Sequence, residues 1–193
     1  MNSFWKYLHT QHGFSIDEVS KIRYAILSVI SELSKILIMA IAFLCLGHFW
    51  EYVLSLIILC LVRTNTGGLH FGNYFICLAF TFLFFWITVI GIPHLIPLLG
   101  LDILIRKWSI ITGIAICTLL FGILKPVQSI YRTSAPKELI TKSRISTFQW
   151  IFIFGVIVYI APYNKYILPC YFTLILQTVQ LVVANIRQLA SAG

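Results

Sequence analysis

The sequence predicts an all-α, polytopic membrane protein with about six transmembrane helices, an N-terminal amphipathic helix and a polar break before the third span. Three observations lead there. Of 193 residues, 60% are hydrophobic and 10% charged, with a mean hydropathy of +0.94, whereas a soluble domain is about half apolar and about a quarter charged. A core of this size cannot hide the excess, so lipid must solvate much of the surface. The apolar residues also fall into long runs, and most of the basic residues behind the net charge of +8 lie between them. In a soluble protein that charge would suggest nucleic acid; here it marks membrane topology, and no nucleic-acid partner is expected.

The chain starts with "MNSFWKYLHTQHGFSIDEVSKIR", polar and mixed in charge. It lacks a short apolar core followed by a small-residue cleavage site, so no cleavable signal is expected. Ser15 and Glu18 stand in capping-box spacing, which predicts a helix start. Ile16, Val19, Ile22, Ile26, Val29 and Leu33 recur on one face of that helix, with Asp17, Lys21 and Glu32 elsewhere. Such a pattern suits an amphipathic helix on the membrane surface that continues into the first span. The apolar part begins after Lys35 and ends near Gly47.

The second segment, roughly 49–62, is short: fourteen residues reach about 21 Å, less than the ~30 Å hydrocarbon core. The third, 71–91, is long enough to cross. Further spans are expected at about 108–124, 145–162 and 166–186. Pro93 and Pro97 mark the connection after the third span, Pro126 the exit of the fourth, and Pro162 the turn between the last two. His94, beside Pro93, reads as an outer-loop residue.

Six spans with both termini in the cytoplasm place eleven of the 14 basic residues inside and leave Arg106, Lys107 and Lys165 outside. This positive-inside bias sets the expected orientation in the membrane. The loop "KPVQSIYRTSAPKELITKSR" carries five of the eleven: Lys125, Arg132, Lys137, Lys142 and Arg144. No internal repeat, low-complexity tract or second domain is evident. Residues 1–193 therefore read as a single integral-membrane domain, with 1–35 a cytoplasmic or interfacial amphipathic segment and 36–187 the transmembrane bundle. The five cysteines fall in or beside apolar runs, so no disulfide framework is expected. Cys45, Cys60, Cys117 and Cys170 read as packing residues.

The polar break is "RTNTGGLHFGNYFIC", residues 63–77, at the cytoplasmic end of spans two and three in this layout. Ionisable side chains and irregular backbone at membrane depth point to function. Gly67–Gly68 permits a turn closed to other residues and could bring backbone N–H groups to a bound carbonyl. A thiol becomes a good nucleophile when an imidazole takes its proton, and a helix N-terminus assists. His70 precedes Cys77 by seven residues, about 10 Å along a straight helix, too far for the ~3 Å contact of a general base. The pair works only if 63–70 is not helical and folds back over the start of span three. Packing remains the alternative for a lone His and Cys, an ordinary turn for Gly67–Gly68, and a topology anchor for Arg63. The catalytic reading rests on their concurrence in one segment at the membrane edge.

On these residues the chain resembles the accessory gene regulator B family, membrane endopeptidases that process autoinducing-peptide precursors in Gram-positive bacteria. The likeness lies in Arg63, Gly67–Gly68, His70 and Cys77, set between the second and third hydrophobic segments. Chain length, the polar N-terminal stretch, the spans and the basic central loop extend it over nearly the whole sequence. The resemblance implies a quorum-sensing cysteine endopeptidase in which Cys77 is the nucleophile and His70 its general base. Arg63 and Gly68 occupy positions associated with activity in the family. It further implies cleavage on the C-terminal side of the future ring, an acyl-enzyme thioester, and displacement by a side chain of the peptide to give a thiolactone or lactone. A membrane-edge site would limit competing water.

The partner so implied is an autoinducing-peptide precursor, with its acidic tail docking on the basic 125–144 loop and membrane lipid around the bundle. A homodimer is the expected assembly. No cofactor is implied. His48 and Glu51 could share a helix face, but no Cys/His cluster completes a metal site, and none is expected. Asn65 and Asn73 are open candidates to orient His70 or polarise the carbonyl. The alternative function is a small transporter or peptide exporter with its binding site at the broken helix. A scaffold that only holds a peptide is a third.

Overall fold

A computed structural model describes residues 15–67, 73–101, 107–124, 137–160 and 164–190. All regular structure among the described residues is helical, as the composition predicts. The chain divides into two compact units, residues 1–42 and 43–193.

The first unit holds most of α1 (Ile16–Cys45). Its start is the expected capping box. The Ser15 hydroxyl accepts the Glu18 N–H at 3.2 Å, and the Glu18 carboxylate accepts the Ser15 N–H at 2.8 Å, so two otherwise orphaned donors are satisfied. The helix runs 30 residues without interruption, about 45 Å. Lys35 lies within it, its ammonium bonding the Glu32 carboxylate 2.7 Å away, one turn earlier.

In the second unit α2 spans Phe49–Thr66. Next comes one helical run made of α3 (Tyr74–Phe85), a π-helical turn (Trp86–Gly91) and α4 (Ile92–Leu98). Pro93 and Pro97 thus lie inside a helix rather than in a connection, which corrects the sequence expectation. Proline removes an N–H and crowds the carbonyl one turn back. The π turn has already shifted the ladder there, with the Ile92 N–H reaching the Ile87 carbonyl. His94 is helical too. Its ring Nδ1–H donates to the Ile90 carbonyl at 2.9 Å, and its ring meets that of His48 edge-on at 6.0 Å.

The remaining helices are α5 (Lys107–Ile123), α6 (Lys137–Ile160) and α7 (Ile167–Ala190). Among the described residues, five segments are long and apolar enough to cross a membrane, and Trp108–Ile123 is a shorter sixth. Among those of the second unit, α7 is the central one: 67% of its span is buried, against 22–28% for the other three long spans. Their apolar outer faces are left for lipid.

Ile110, Ile114, Cys117 and Phe121 on α5 meet Ile151, Phe154 and Val158 on α6 and Leu168, Tyr171, Leu174 and Leu181 on α7. Gly113 makes the α5–α7 approach possible, since a Cβ there would come within 2.9 Å of two Tyr171 ring carbons. At the other side Tyr52 stacks on Phe43 at 5.0 Å and meets Phe85 edge-on at 4.9 Å. All three are buried, and Tyr52 and Phe85 tie α2 to α3. Cys117 and Cys170 pack in the core as expected, whereas Cys45 and Cys60 are exposed; all five cysteines are free thiols.

Candidate active site

The polar break is shorter than the sequence suggests. Arg63–Thr66 complete the last turn of α2 and α3 begins at Tyr74, so the expectation that 63–70 is not helical is corrected over 63–66, and the turn that a His70–Cys77 pairing requires has to be made after Thr66. The cause is local. The Thr64 hydroxyl donates to the Cys60 carbonyl at 2.8 Å, Asn65 Nδ2 to the Leu61 carbonyl at 2.9 Å, and the Thr66 hydroxyl to the Val62 carbonyl at 3.0 Å. These back-bonds satisfy polar side chains within the helix itself. Gly68 and His70 lie outside the described residues.

Gly67 ends the helix at φ 75° and ψ −166°, a combination essentially confined to glycine. Both its backbone groups are held. The N–H donates to the Arg63 carbonyl at 2.8 Å, and the carbonyl accepts from Gln177 Nε2 of α7 at 3.0 Å. On the far side of the break Asn73 caps α3, its Oδ1 accepting the Phe75 N–H at 2.9 Å. The Cys77 N–H donates to the Asn73 carbonyl at 3.0 Å, the first intrahelical bond of α3, so the thiol sits in the opening turn.

Cys77 is buried, 7% exposed, and lines a cavity between three helices. α2 contributes Leu59 and Arg63, one turn apart; α3 contributes Cys77, Phe80, Thr81 and Phe84 along one face; α7 contributes Gln180. The cavity measures about 10 Å³, room for about one water-sized atom. The Thr81 hydroxyl donates to the Cys77 carbonyl at 2.8 Å, so its proton is already used. Among the described residues, the cavity wall carries one cation (Arg63), one amide (Gln180), the Thr81 hydroxyl and apolar side chains.

Of the residues the sequence singled out, the structure brings Arg63 and Cys77 into one cavity and holds Gly67 nearby through α7. It sends Asn65 elsewhere. Besides Leu61, its Nδ2 donates to the Ser146 hydroxyl at 3.3 Å, and its carbonyl accepts from the Ser143 hydroxyl, so Asn65 joins α2 to α6. Asn73 has its carbonyl oxygen engaged as the cap. Of the basic loop, Lys125 and Arg132 and the side chain of Lys137 lie outside the described residues. Lys142 is exposed. Arg144 turns back, its Nη2 donating to the Leu124 carbonyl at 3.4 Å beyond the end of α5.

Sequence reasoning missed Gln177 and Gln180. Gln177 is fully buried, and its Oε1 has no hydrogen-bond partner among the described residues; Gln180 is 8% exposed and lines the cavity. The signal was available as "QTVQ", two amides three residues apart in an otherwise apolar span, which is how polar groups with work to do appear in membrane helices.

Comparison with known proteins supplies the context. A family model described as accessory gene regulator B matches residues 1–181. A protein of Clostridium beijerinckii named as AgrB-like is 34% identical over 73 residues, which cover 38% of this chain and 37% of that relative's length. No solved structure matches the chain.

Proposed function

The chain belongs to the accessory gene regulator B family, and we propose that it is the membrane-embedded cysteine endopeptidase of an accessory-gene-regulator quorum-sensing system. Its substrate is an autoinducing-peptide precursor. Cys77 attacks the carbonyl at the C-terminal edge of the future ring, and His70 takes the thiol proton. The tail leaves with a proton returned from His70, and the peptide remains on Cys77 as a thioester. A thiol or hydroxyl of the peptide then displaces it to close a thiolactone or lactone.

The observation that carries this reading is the position of Cys77. It occupies the opening turn of α3, next to Arg63 in a cavity too small for bulk water. A site of that kind favours transfer of the acyl group to a tethered nucleophile over hydrolysis. Arg63 steadies negative charge during attack, a role supported by its half-buried position on the α2 side of the cavity. Gly67 and Gln177 fix where the chain leaves α2 toward Gly68 and His70. The acidic tail docks on the basic 125–144 stretch, where Lys142 is exposed and Arg144 is committed to the end of α5. Both termini and the site lie on the cytoplasmic side, following the distribution of Lys and Arg.

The test is tail release. The protein in liposomes is incubated with precursor peptides, and the products are weighed by mass spectrometry beside Cys77→Ala and His70→Ala variants. Wild type should release the tail and both variants should not. Cleavage that persists in Cys77→Ala would remove the assignment, and uniform return of uncut precursor would favour a transporter or a binder.

A further inference from the structure

We propose that Gln180 is a catalytic residue whose side-chain amide donates a hydrogen bond to the oxyanion formed at the scissile carbonyl. The assignment rests on the peptidase reading above and adds to it a donor from α7, far in sequence from the polar break.

The reaction needs such a donor. When the Cys77 sulfur bonds to the scissile carbonyl carbon, the carbonyl π electrons move to oxygen. When the intermediate collapses, the C=O bond reforms, the C–N bond breaks, and the amine leaves with the proton that His70 took from the thiol. Between those events a full negative charge sits on one oxygen atom in a poorly solvated site, where preorganised donors matter most.

Among the described residues, several donors near Cys77 are already spent. The Gly67 N–H is bonded to the Arg63 carbonyl and the Cys77 N–H to the Asn73 carbonyl. Asn65 Nδ2 serves Leu61 and Ser146, and the Thr81 hydroxyl serves the Cys77 carbonyl. Arg63 and Gln180 are the two nitrogen-bearing side chains that line the cavity among the described residues. Size points the same way. The space those side chains share with the thiol accepts about one oxygen-sized atom, which suits a carbonyl oxygen and excludes a side chain. One turn before Gln180 on α7, Gln177 is fully buried with Oε1 unpartnered. A buried amide oxygen with no partner among the described residues is costly. Gln177 also spends its Nε2 on Gly67, so Gln180 is the α7 amide left for substrate.

The test compares two reactions of the same sulfur in the full-length protein in liposomes. Acylation by a precursor peptide passes through an oxyanion; alkylation by iodoacetamide is a direct displacement at carbon and does not. Gln180→Met and Gln180→Leu remove the donor without adding a charge beside the thiol. Both should slow acylation of Cys77 about a hundredfold or more, mainly in kcat, while iodoacetamide labels Cys77 at the wild-type rate. Unchanged acylation in both variants overturns the assignment. So does parallel loss of acylation and alkylation, which would make Gln180 a packing residue. If wild type forms no acyl-enzyme at Cys77, the peptidase reading itself fails and this assignment falls with it.

Discussion

Gly67→Ala places a Cβ on a residue held at φ 75° and ψ −166°, where side chains are strained by about 1–3 kcal/mol. Relaxing the backbone is no easier. The Gly67 N–H is bonded at 2.8 Å and its carbonyl at 3.0 Å. Rotating the carbonyl away would strand Gln177 Nε2 in a fully buried position whose Oε1 is already unpaired, at about 1–3 kcal/mol. Either route shifts the balance between native and distorted loop entry by about 5- to 150-fold. Tail release in liposomes should fall by a factor in that range. Gly100→Ala is the control, since Gly100 also has positive φ, 65°, but lies beyond α4 at the opposite end of the helical run that starts with α3. It should lose stability to heating in detergent and keep its cleavage rate. Wild-type cleavage by Gly67→Ala would refute the argument that this glycine sets the entry to the site.

Two further substitutions test the scaffold. Gly113→Ala should destabilise the bundle by about 1–3 kcal/mol, because its Cβ meets the Tyr171 ring at 2.9 Å; thermal unfolding in detergent measures this, and Tyr171→Leu should recover part of the loss in the double variant. Asn73→Ala removes the α3 cap and should cost about 1 kcal/mol, with Asn73→Asp restoring it. If Asn73→Asp is stable yet inactive, Asn73 has a role in the reaction beyond capping.

Much of the fold is legible in the sequence because membrane helices announce themselves. Runs of apolar residues located the spans, and Ser15 with Glu18 located the start of α1 to the residue. The ends of α2 and α3 were harder. Thr64, Asn65 and Thr66 look like loop residues, yet each finds a carbonyl one turn back, so polarity there did not mean irregular backbone. Pro93 and Pro97 look like punctuation, yet the π turn ahead of them absorbs the change in register, and no composition rule anticipates that. At the site, Arg63, Gly67 and Cys77 stood out because their chemistry is unusual for their surroundings. Gln177 and Gln180 did not, because their relevance depends on α7 crossing beside α2 and α3, and they stand 100 and 103 residues along the chain from Cys77. Asn65 and Asn73 show the converse: proximity in sequence suggested a role, and their hydrogen bonds show one joining two helices and the other capping a helix.

The central claim is that the peptide passes through a thioester on Cys77. Intact-protein mass spectrometry after rapid acid quench tests it most directly, using a precursor whose ring-closing side chain has been replaced so that the acyl group has nowhere to go. The wild-type protein should gain the mass of the N-terminal fragment less one water, on Cys77, and hydroxylamine at neutral pH should remove it; Cys77→Ala should gain nothing. Tail release without any such adduct, or an adduct on a residue other than Cys77, would contradict the account.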